Sequence, residues 1–256
     1  MKGNKLFLYV SIYILFSFAG CTKNDSTRNP PDPPGAISND YKPTGSSAKD
    51  ILSTQNFTIL KIDIKYMPGY APDATAINNL TGFLNNYINK SGGISVSQQQ
   101  IAASGKSTLT IEDVVAIEKN TRTSVTANNQ IAINILITDG AFSTANVLGV
   151  AYYNTSLCLF GKTINDNSGG VGQTSRTKLQ TTVLEHEVGH LLGLVDLGSP
   201  MQTNHKDAAH GNHCNNSGCL MYYTSETTDI LGFLLTGAIP TLDANCIADL
   251  RANGGK

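Results

Sequence analysis

The sequence predicts one α+β domain, because patterns of strand period and of helix period follow one another over residues 51–256. Ile131–Thr138 is almost entirely apolar and largely β-branched, which is typical of a strand buried on both faces. Residues 76–88 carry apolar side chains at helical spacing, which predicts a helix with one face on a core. A stretch of this length is sufficient for one packed domain, with or without a small second lobe.

The other elements follow from the same two periods and from capping residues. Leu60–Tyr66 alternates apolar and charged side chains and predicts a half-buried strand. Thr110 and Asp113 have the spacing of a capping box, so a helix begins there. The stretch 241–253 predicts a closing helix. Short strands are predicted at 94–101, 147–153 and 156–164.

The most informative segment is HEVGHLLGLVD, residues 186–196. Two histidines four apart on a helix lie one turn from each other on the same side, so His186 and His190 can bind one Zn²⁺. Glu187 lies between them and can accept a proton from a metal-bound water. The alternative is an amphipathic helix with two incidental histidines. The pattern therefore favours a catalytic zinc site with Glu187 as general base.

The residues after His190 favour the catalytic reading. Gly193 can adopt positive φ and end the helix, and Asp196 then offers a third, oxygen ligand. The segment resembles the extended motif of the metzincin clan of metallopeptidases, HExxHxxGxxH/D, in the Asp form of the small snapalysin-type members. The resemblance implies His186, His190 and Asp196 as metal ligands. His205, His210 and His213 follow closely and remain alternatives for the third position.

A second resemblance to metzincins lies in CLMYY, residues 219–223. It resembles their Met-turn, which implies that Met221 forms a hydrophobic floor beneath the metal without binding it. It also implies that Tyr223 binds zinc or stabilises the oxyanion of the intermediate. The clan implies an α+β fold in which a twisted mixed β-sheet packs on helices, with an active-site helix, a Met-turn and a small C-terminal helical subdomain. It also implies that the edge strand at 147–151 binds an extended peptide substrate.

The N-terminus predicts export and lipid anchoring. Residues 1–20 combine two lysines with an apolar stretch of 14 residues, as in a signal peptide. Phe18–Cys21 resembles a bacterial lipobox, which implies that Cys21 is lipidated and that the protein is held at a membrane of the bacterial cell envelope. Residues 21–50 are polar and proline-rich and are predicted as a flexible tether, or alternatively as a propeptide. The catalytic domain is then 51–256.

Composition excludes some partners. The chain has 18 basic and 19 acidic side chains, so its net charge is too small to attract nucleic acid. We expect a monomer that acts on protein or peptide substrates. The absence of tryptophan disfavours a glycan-binding lipoprotein, one of two rival functions. The other rival is a catalytically silent surface lipoprotein that binds peptides or partners around a structural zinc. Glu187 argues against it, because a structural site has no use for a base.

Two further clusters leave alternatives open. Four cysteines in an exported chain predict up to two disulfides, and a cysteine-containing metal site is the rival reading. The cysteines are Cys158, Cys214, Cys219 and Cys246. The polar cluster His205, Asp207, His210 and His213 is either a second metal site or a hydrogen-bonded loop. Asn165–Gly170 is a weak candidate for Ca²⁺, and a surface turn is the simpler reading.

Overall fold

The computed structural model describes residues 39–256. The predicted signal peptide, Cys21 and residues 22–38 lie outside this part of the chain. Residues 39–50, predicted as part of the tether, pack on the domain instead. Asp40 is buried and pairs with Arg122 Nη2 at 3.0 Å, and Asn154 Nδ2 donates a hydrogen bond to the Asn39 carbonyl at 2.7 Å. The packed domain therefore begins at least as early as residue 39, because polar partners inside it satisfy this segment.

A five-stranded sheet of mixed direction forms the centre of the domain, in the order β2-β1-β4-β7-β6. The first four strands in this order are parallel to their neighbours, and β6 runs antiparallel to β7 at the edge. All residues of β4 after Gln130 are buried, as the apolar run predicted. The strands are β1 (Ile59–Tyr66), β2 (Ile94–Gln100), β4 (Gln130–Thr138), β6 (Gly149–Tyr153) and β7 (Ser156–Phe160), and a separate pair consists of β3 (Thr108–Leu109) and β5 (Ala141–Phe142).

Capping residues begin several of the helices, and one of these caps was predicted. Asp73 caps α2, and Thr110 and Asp113 form the capping box of α3. Helix α5 is capped by Ser175 and is buried from Leu179 to its last residue, so it runs through the core beside the sheet. The helices are α1 (Ala48–Leu52), α2 (Ala74–Tyr87), α3 (Ile111–Thr121), α4 (Gly161–Asp166), α5 (Arg176–Leu191), α6 (Leu231–Thr236) and α7 (Ala244–Ala252).

One predicted strand is shorter than expected. The strand predicted over 156–164 ends at Phe160, and α4 begins at Gly161. At Gly161 the chain passes so close to the end of β4 that a Cβ would lie 2.6 Å from the Thr138 carbonyl oxygen. The apolar pattern continues into the helix through the buried Ile164, and this continuity made the predicted strand too long. Within residues 39–256, no helix is both long and apolar enough to cross a bilayer.

Candidate active site

Helix α5 carries the two motif histidines on one side. His186 Nε2 and His190 Nε2 lie 3.1 Å apart, and both side chains are buried. Two nitrogens that bind one tetrahedral zinc at about 2.0–2.1 Å lie about 3.3–3.4 Å apart, so the observed pair is close to this geometry. Burial, followed by the neighbouring His186 and His213, lowers the pKa of His190, which favours the neutral imidazole that metal binding requires.

A third imidazole completes this arrangement. The His213 ring lies with its centroid 5.3 Å from that of His186 and 5.1 Å from that of His190. His186 Nδ1 donates to the Leu220 carbonyl at 2.8 Å, and His213 Nδ1 donates to the His210 carbonyl at 2.7 Å. Because a carbonyl only accepts, both rings keep their Nε2 lone pairs for a metal, which is the usual second-shell orientation of histidine ligands.

Asp196 does not lie with these imidazoles, although it was predicted as the third ligand. Its side chain is 57% exposed, and its contact is with Lys206 Nζ at 3.3 Å. The group of close metal-binding atoms around α5 consists of His186, His190, His213 and Glu226. His213, one of the alternatives left open, therefore takes the place expected for Asp196, and Glu226 was not predicted at all.

The backbone after α5 explains this difference. Gly193 has φ +76° and turns the chain, as expected. The next turn was not expected, because Val195 and Asp196 also have positive φ, at +51° and +71°, which is rare for residues with side chains. These successive left-handed residues direct the chain to the surface. A longer loop then returns to the metal site at His213.

Glu187 is fully buried beside the edge strand. A Cβ on Gly149, the first residue of β6, would lie 2.9 Å from Glu187 Oε1, so only glycine leaves room for this carboxyl group. Burial raises the pKa of Glu187 well above its usual value, and the nearby Glu226 carboxylate raises it further. A raised pKa is what a carboxyl group needs in order to hold and release a proton near neutral pH.

Met221 is completely buried against α5. A Cβ on Gly189 would lie 2.3 Å from Met221 Sδ, so the methionine packs on the helix between Glu187 and His190. This position agrees with a hydrophobic floor. The Tyr223 ring stacks on His210, with centroids 3.6 Å apart and an interplanar angle of 7°. The catalytic role of Tyr223 stays a prediction.

The predicted polar cluster separates into three parts. His213 joins the α5 histidines, and His210 Nδ1 is hydrogen-bonded to Asp207 Oδ2 at 2.7 Å near the surface. His205 is buried, where its Nε2 lies 2.8 Å from Asp249 Oδ2 and its Nδ1 lies 3.3 Å from Cys214 Sγ. The cluster is therefore not one site.

The predicted disulfides are not formed, since all four cysteines in the described chain are free and buried. Cys219 Sγ and Cys246 Sγ lie 3.6 Å apart. Donor atoms of His205, Cys214, Asp243 and Cys246 all lie within 4.8 Å of one another. The rival reading, a metal site containing cysteine, therefore fits this region better than a pair of disulfides.

The candidate Ca²⁺ segment Asn165–Gly170 is the end of α4 and a following turn. Its one acidic residue, Asp166, pairs with Lys162 at 2.5 Å. Among residues 39–256, Asp166 belongs to neither group of side chains close enough to share a metal ion.

The buried carboxyl group of Glu185 makes the free energy of unfolding depend on pH. Burial raises its pKa from near 4.5 to about 7, so the folded protein holds a proton that the unfolded chain releases. Stability from this group is complete below pH 4.5 and is lost as pH rises to 7. We expect Glu185→Gln to exceed the parent in unfolding free energy by up to about 3 kcal/mol at pH 8 and to match it at pH 4. Urea unfolding at both pH values measures this, and equal stability at pH 8 would contradict it.

A mixed sheet with an antiparallel edge strand, backed by a helix that carries two facing imidazoles and a buried carboxyl group, defines the zincin-like class of metallopeptidases. The chain belongs to metallopeptidase family M12, whose model matches residues 54–233. By this membership it is a zinc metallopeptidase and thus a hydrolase.

Several solved structures are similar to this chain, among them an archaemetzincin and a metalloproteinase. Archaemetzincin from Methanopyrus kandleri aligns with a TM-score of 0.52 and 13% sequence identity. The alignment covers 77% of this chain and 96% of the archaemetzincin chain, so the two share the fold. Metalloproteinase-II from Bacteroides fragilis has a TM-score of 0.45 and 16% identity over 79% of this chain and 55% of its own. The sequence has no significant match among curated proteins.

Proposed function

We propose that this protein is an endopeptidase whose catalytic zinc is held by His186, His190 and His213, with Glu187 as general base. The observation that carries the proposal is the convergence of three imidazoles beside one buried carboxyl group. Three neutral nitrogen ligands and an adjacent acid are the donor set of hydrolytic zinc sites. His213 replaces Asp196 in this proposal because Asp196 is exposed and bound to Lys206.

A zinc ion held by these residues would lower the pKa of a bound water molecule and polarise the substrate carbonyl. Glu187 takes the proton of the attacking water and passes it to the leaving amine. The position of Glu187 against Gly149 brings this base next to the edge strand. Gly149–Tyr153 is paired with β7 on one side, and an extended peptide would add as a further strand on the other. The scissile bond would then lie beside both the base and the metal.

A silent protein with a structural zinc is the alternative. Glu187 again disfavours it, since a buried carboxyl group beside a purely structural ion would add desolvation cost without a function. The deciding experiment is digestion of casein by the purified protein, with and without a chelator. We expect cleavage that stops with chelator and returns with added zinc. Zinc-loaded protein that cleaves neither casein nor a peptide library would favour the structural role.

We also propose a second, structural metal at His205, Cys214, Asp243 and Cys246, with Cys219 as a further thiol beside Cys246. Nitrogen and thiolate donors suit zinc in closed sites. We expect the purified protein to contain two zinc ions per chain, and Cys214→Ser to contain one and to unfold at lower temperature. Cys158→Ser is the matched control, because Cys158 is equally buried but outside the group. One zinc per chain in the parent, by elemental analysis, would refute the second site.

Finally, we propose that the enzyme is exported and anchored through Cys21, on the strength of the apolar leader and the lipobox-like residues before it. Residues 21–38 would then separate the packed domain from the membrane. Labelling of cells with a radioactive fatty acid tests this: the parent should be labelled, and Cys21→Ala should not. Equal labelling of both proteins would exclude Cys21 as the anchor.

A further inference from the structure

Glu226 lies where the fourth ligand of the catalytic metal would be. Its Oε2 is 3.7 Å from His186 Nε2 and 3.9 Å from His190 Nε2, and its Oε1 is 3.5 Å from His213 Nε2. Two ligands of one tetrahedral zinc lie about 3.3–3.4 Å apart, so the carboxylate is only slightly outside this distance from all three nitrogens. Three imidazoles and one carboxylate would thus supply four donor atoms, the full number for a closed zinc site, whereas a catalytic zinc keeps one position open.

The backbone holds Glu226 in this place. Its carbonyl accepts a hydrogen bond from the Leu148 amide at 2.8 Å, and the Thr228 amide donates to the Asn146 carbonyl at 2.9 Å. Val147 and Thr227 form an antiparallel bridge between these two bonds. Residues 226–228 are therefore held, by one isolated bridge and two backbone hydrogen bonds, against the residues that lead directly into β6. The chain itself occupies the start of the edge where a substrate peptide would pair.

Glu226 is also the member of the set that can leave most easily. Its side chain is 28% exposed, compared with 0% for His186, 8% for His190 and 11% for His213. It lies at the end of a single 3₁₀ turn, Tyr223–Glu226, whereas His186 and His190 are on the buried helix α5. A rotation of one side chain towards solvent would free the fourth position without moving the imidazoles.

We propose that Glu226 is a displaceable fourth ligand of the catalytic zinc, so that the resting enzyme is capped by its own chain and opens when water and substrate displace the carboxylate. The proposal rests on the zinc site proposed above. It explains how a site with four protein donors can still be catalytic: the fourth donor leaves, and the buried general base then has a water molecule to act on. It also predicts that an external ligand has to compete with Glu226.

The test compares Glu226→Gln, which keeps the side-chain shape but is a much poorer ligand, with the parent. Asp229→Asn is the matched control, since it removes one acid from the same loop at an exposed residue. Two quantities are measured: zinc affinity by competition with a chelator, and affinity of the cobalt-substituted protein for imidazole by visible absorption. Imidazole is neutral, so the loss of a negative charge does not by itself strengthen its binding.

We expect Glu226→Gln to bind zinc at least about tenfold more weakly and imidazole at least about tenfold more tightly, with Asp229→Asn unchanged. A merely structural residue would not shift these two affinities in opposite directions. Zinc and imidazole affinities within twofold of the parent would overturn the capping proposal and leave the three-histidine site intact. A parent that binds no metal at α5 would overturn both proposals.

Zinc-edge X-ray absorption of Cys214→Ser, in which only the α5 site should hold zinc, tests the same ligand set with Glu226 in place, should Glu226→Gln not fold. We expect three imidazole nitrogens and one carboxylate oxygen, with the outer-shell carbon of the carboxylate visible. Three nitrogens and a water oxygen in the absence of substrate would overturn the capping proposal.

Discussion

Glu187→Gln should bind zinc as tightly as the parent and lose peptide hydrolysis by about 10²–10⁴-fold in kcat. The side chain is fully buried and its raised pKa makes the neutral form accessible, so the neutral amide fits the same space without an unpaired charge. The expected loss therefore reports proton transfer and not folding. Peptide hydrolysis and zinc content measured on the same preparation check it.

Glu185→Gln is the matched control for this loss. Glu185 is also buried on α5, two residues away, and is outside the group of metal-binding atoms. The same change of carboxyl to amide should leave kcat within about twofold. Retained hydrolysis in Glu187→Gln, or an equal loss in both variants, would refute Glu187 as the base.

His213→Ala should lower zinc affinity at the catalytic site by more than about 100-fold, which exceeds the 10–100-fold effect of losing an outer-shell partner. The reason is that His213 offers Nε2 to the metal, while its Nδ1 is already used by the His210 carbonyl. Peptide hydrolysis should fall with the metal. Chelator competition measures the affinity, and a difference spectrum of the cobalt protein measures the change in ligands.

Asp196→Ala is the decisive comparison. Asp196 contacts Lys206 at the surface, so this variant should keep the zinc affinity and the hydrolysis rate of the parent. His210→Ala serves as a second control, because it removes a neighbouring imidazole that pairs with Asp207. Loss of zinc in Asp196→Ala, with affinity retained in His213→Ala, would restore the ligand set that the motif spacing suggested.

The local patterns in the sequence predicted most of the fold. The apolar run of β4, the amphipathic α2 and the capping box of α3 each depend on neighbours along the chain, and the structure confirms them. The α+β class and the mixed sheet with its edge strand are confirmed as well. Positions fixed by helix geometry, such as His186 and His190, could also be predicted, because four residues make one turn.

Positions that depend on loops could not be predicted. The spacing after Gly193 implied a chain returning at Asp196, but two further left-handed residues direct it outward. The sequence offered His213 as a third ligand only because it is a histidine close to the motif. No helical or strand period predicted its position in space. Glu226 belongs to no motif. It is held at the metal site by a hydrogen bond from the Leu148 amide to its carbonyl, from about 80 residues earlier in the chain. The free state of the four described cysteines could not be predicted either, because the distances between their sulfur atoms depend on packing between distant parts of the chain.

The most direct test of the zinc site is an anomalous difference map at the zinc edge from crystals of the parent protein. The strongest peak near α5 should lie about 2.0–2.1 Å from Nε2 of His186, His190 and His213. A peak bound to Asp196, or the absence of any peak among the three imidazoles in zinc-loaded crystals, would contradict the ligand set on which the proposed hydrolysis depends.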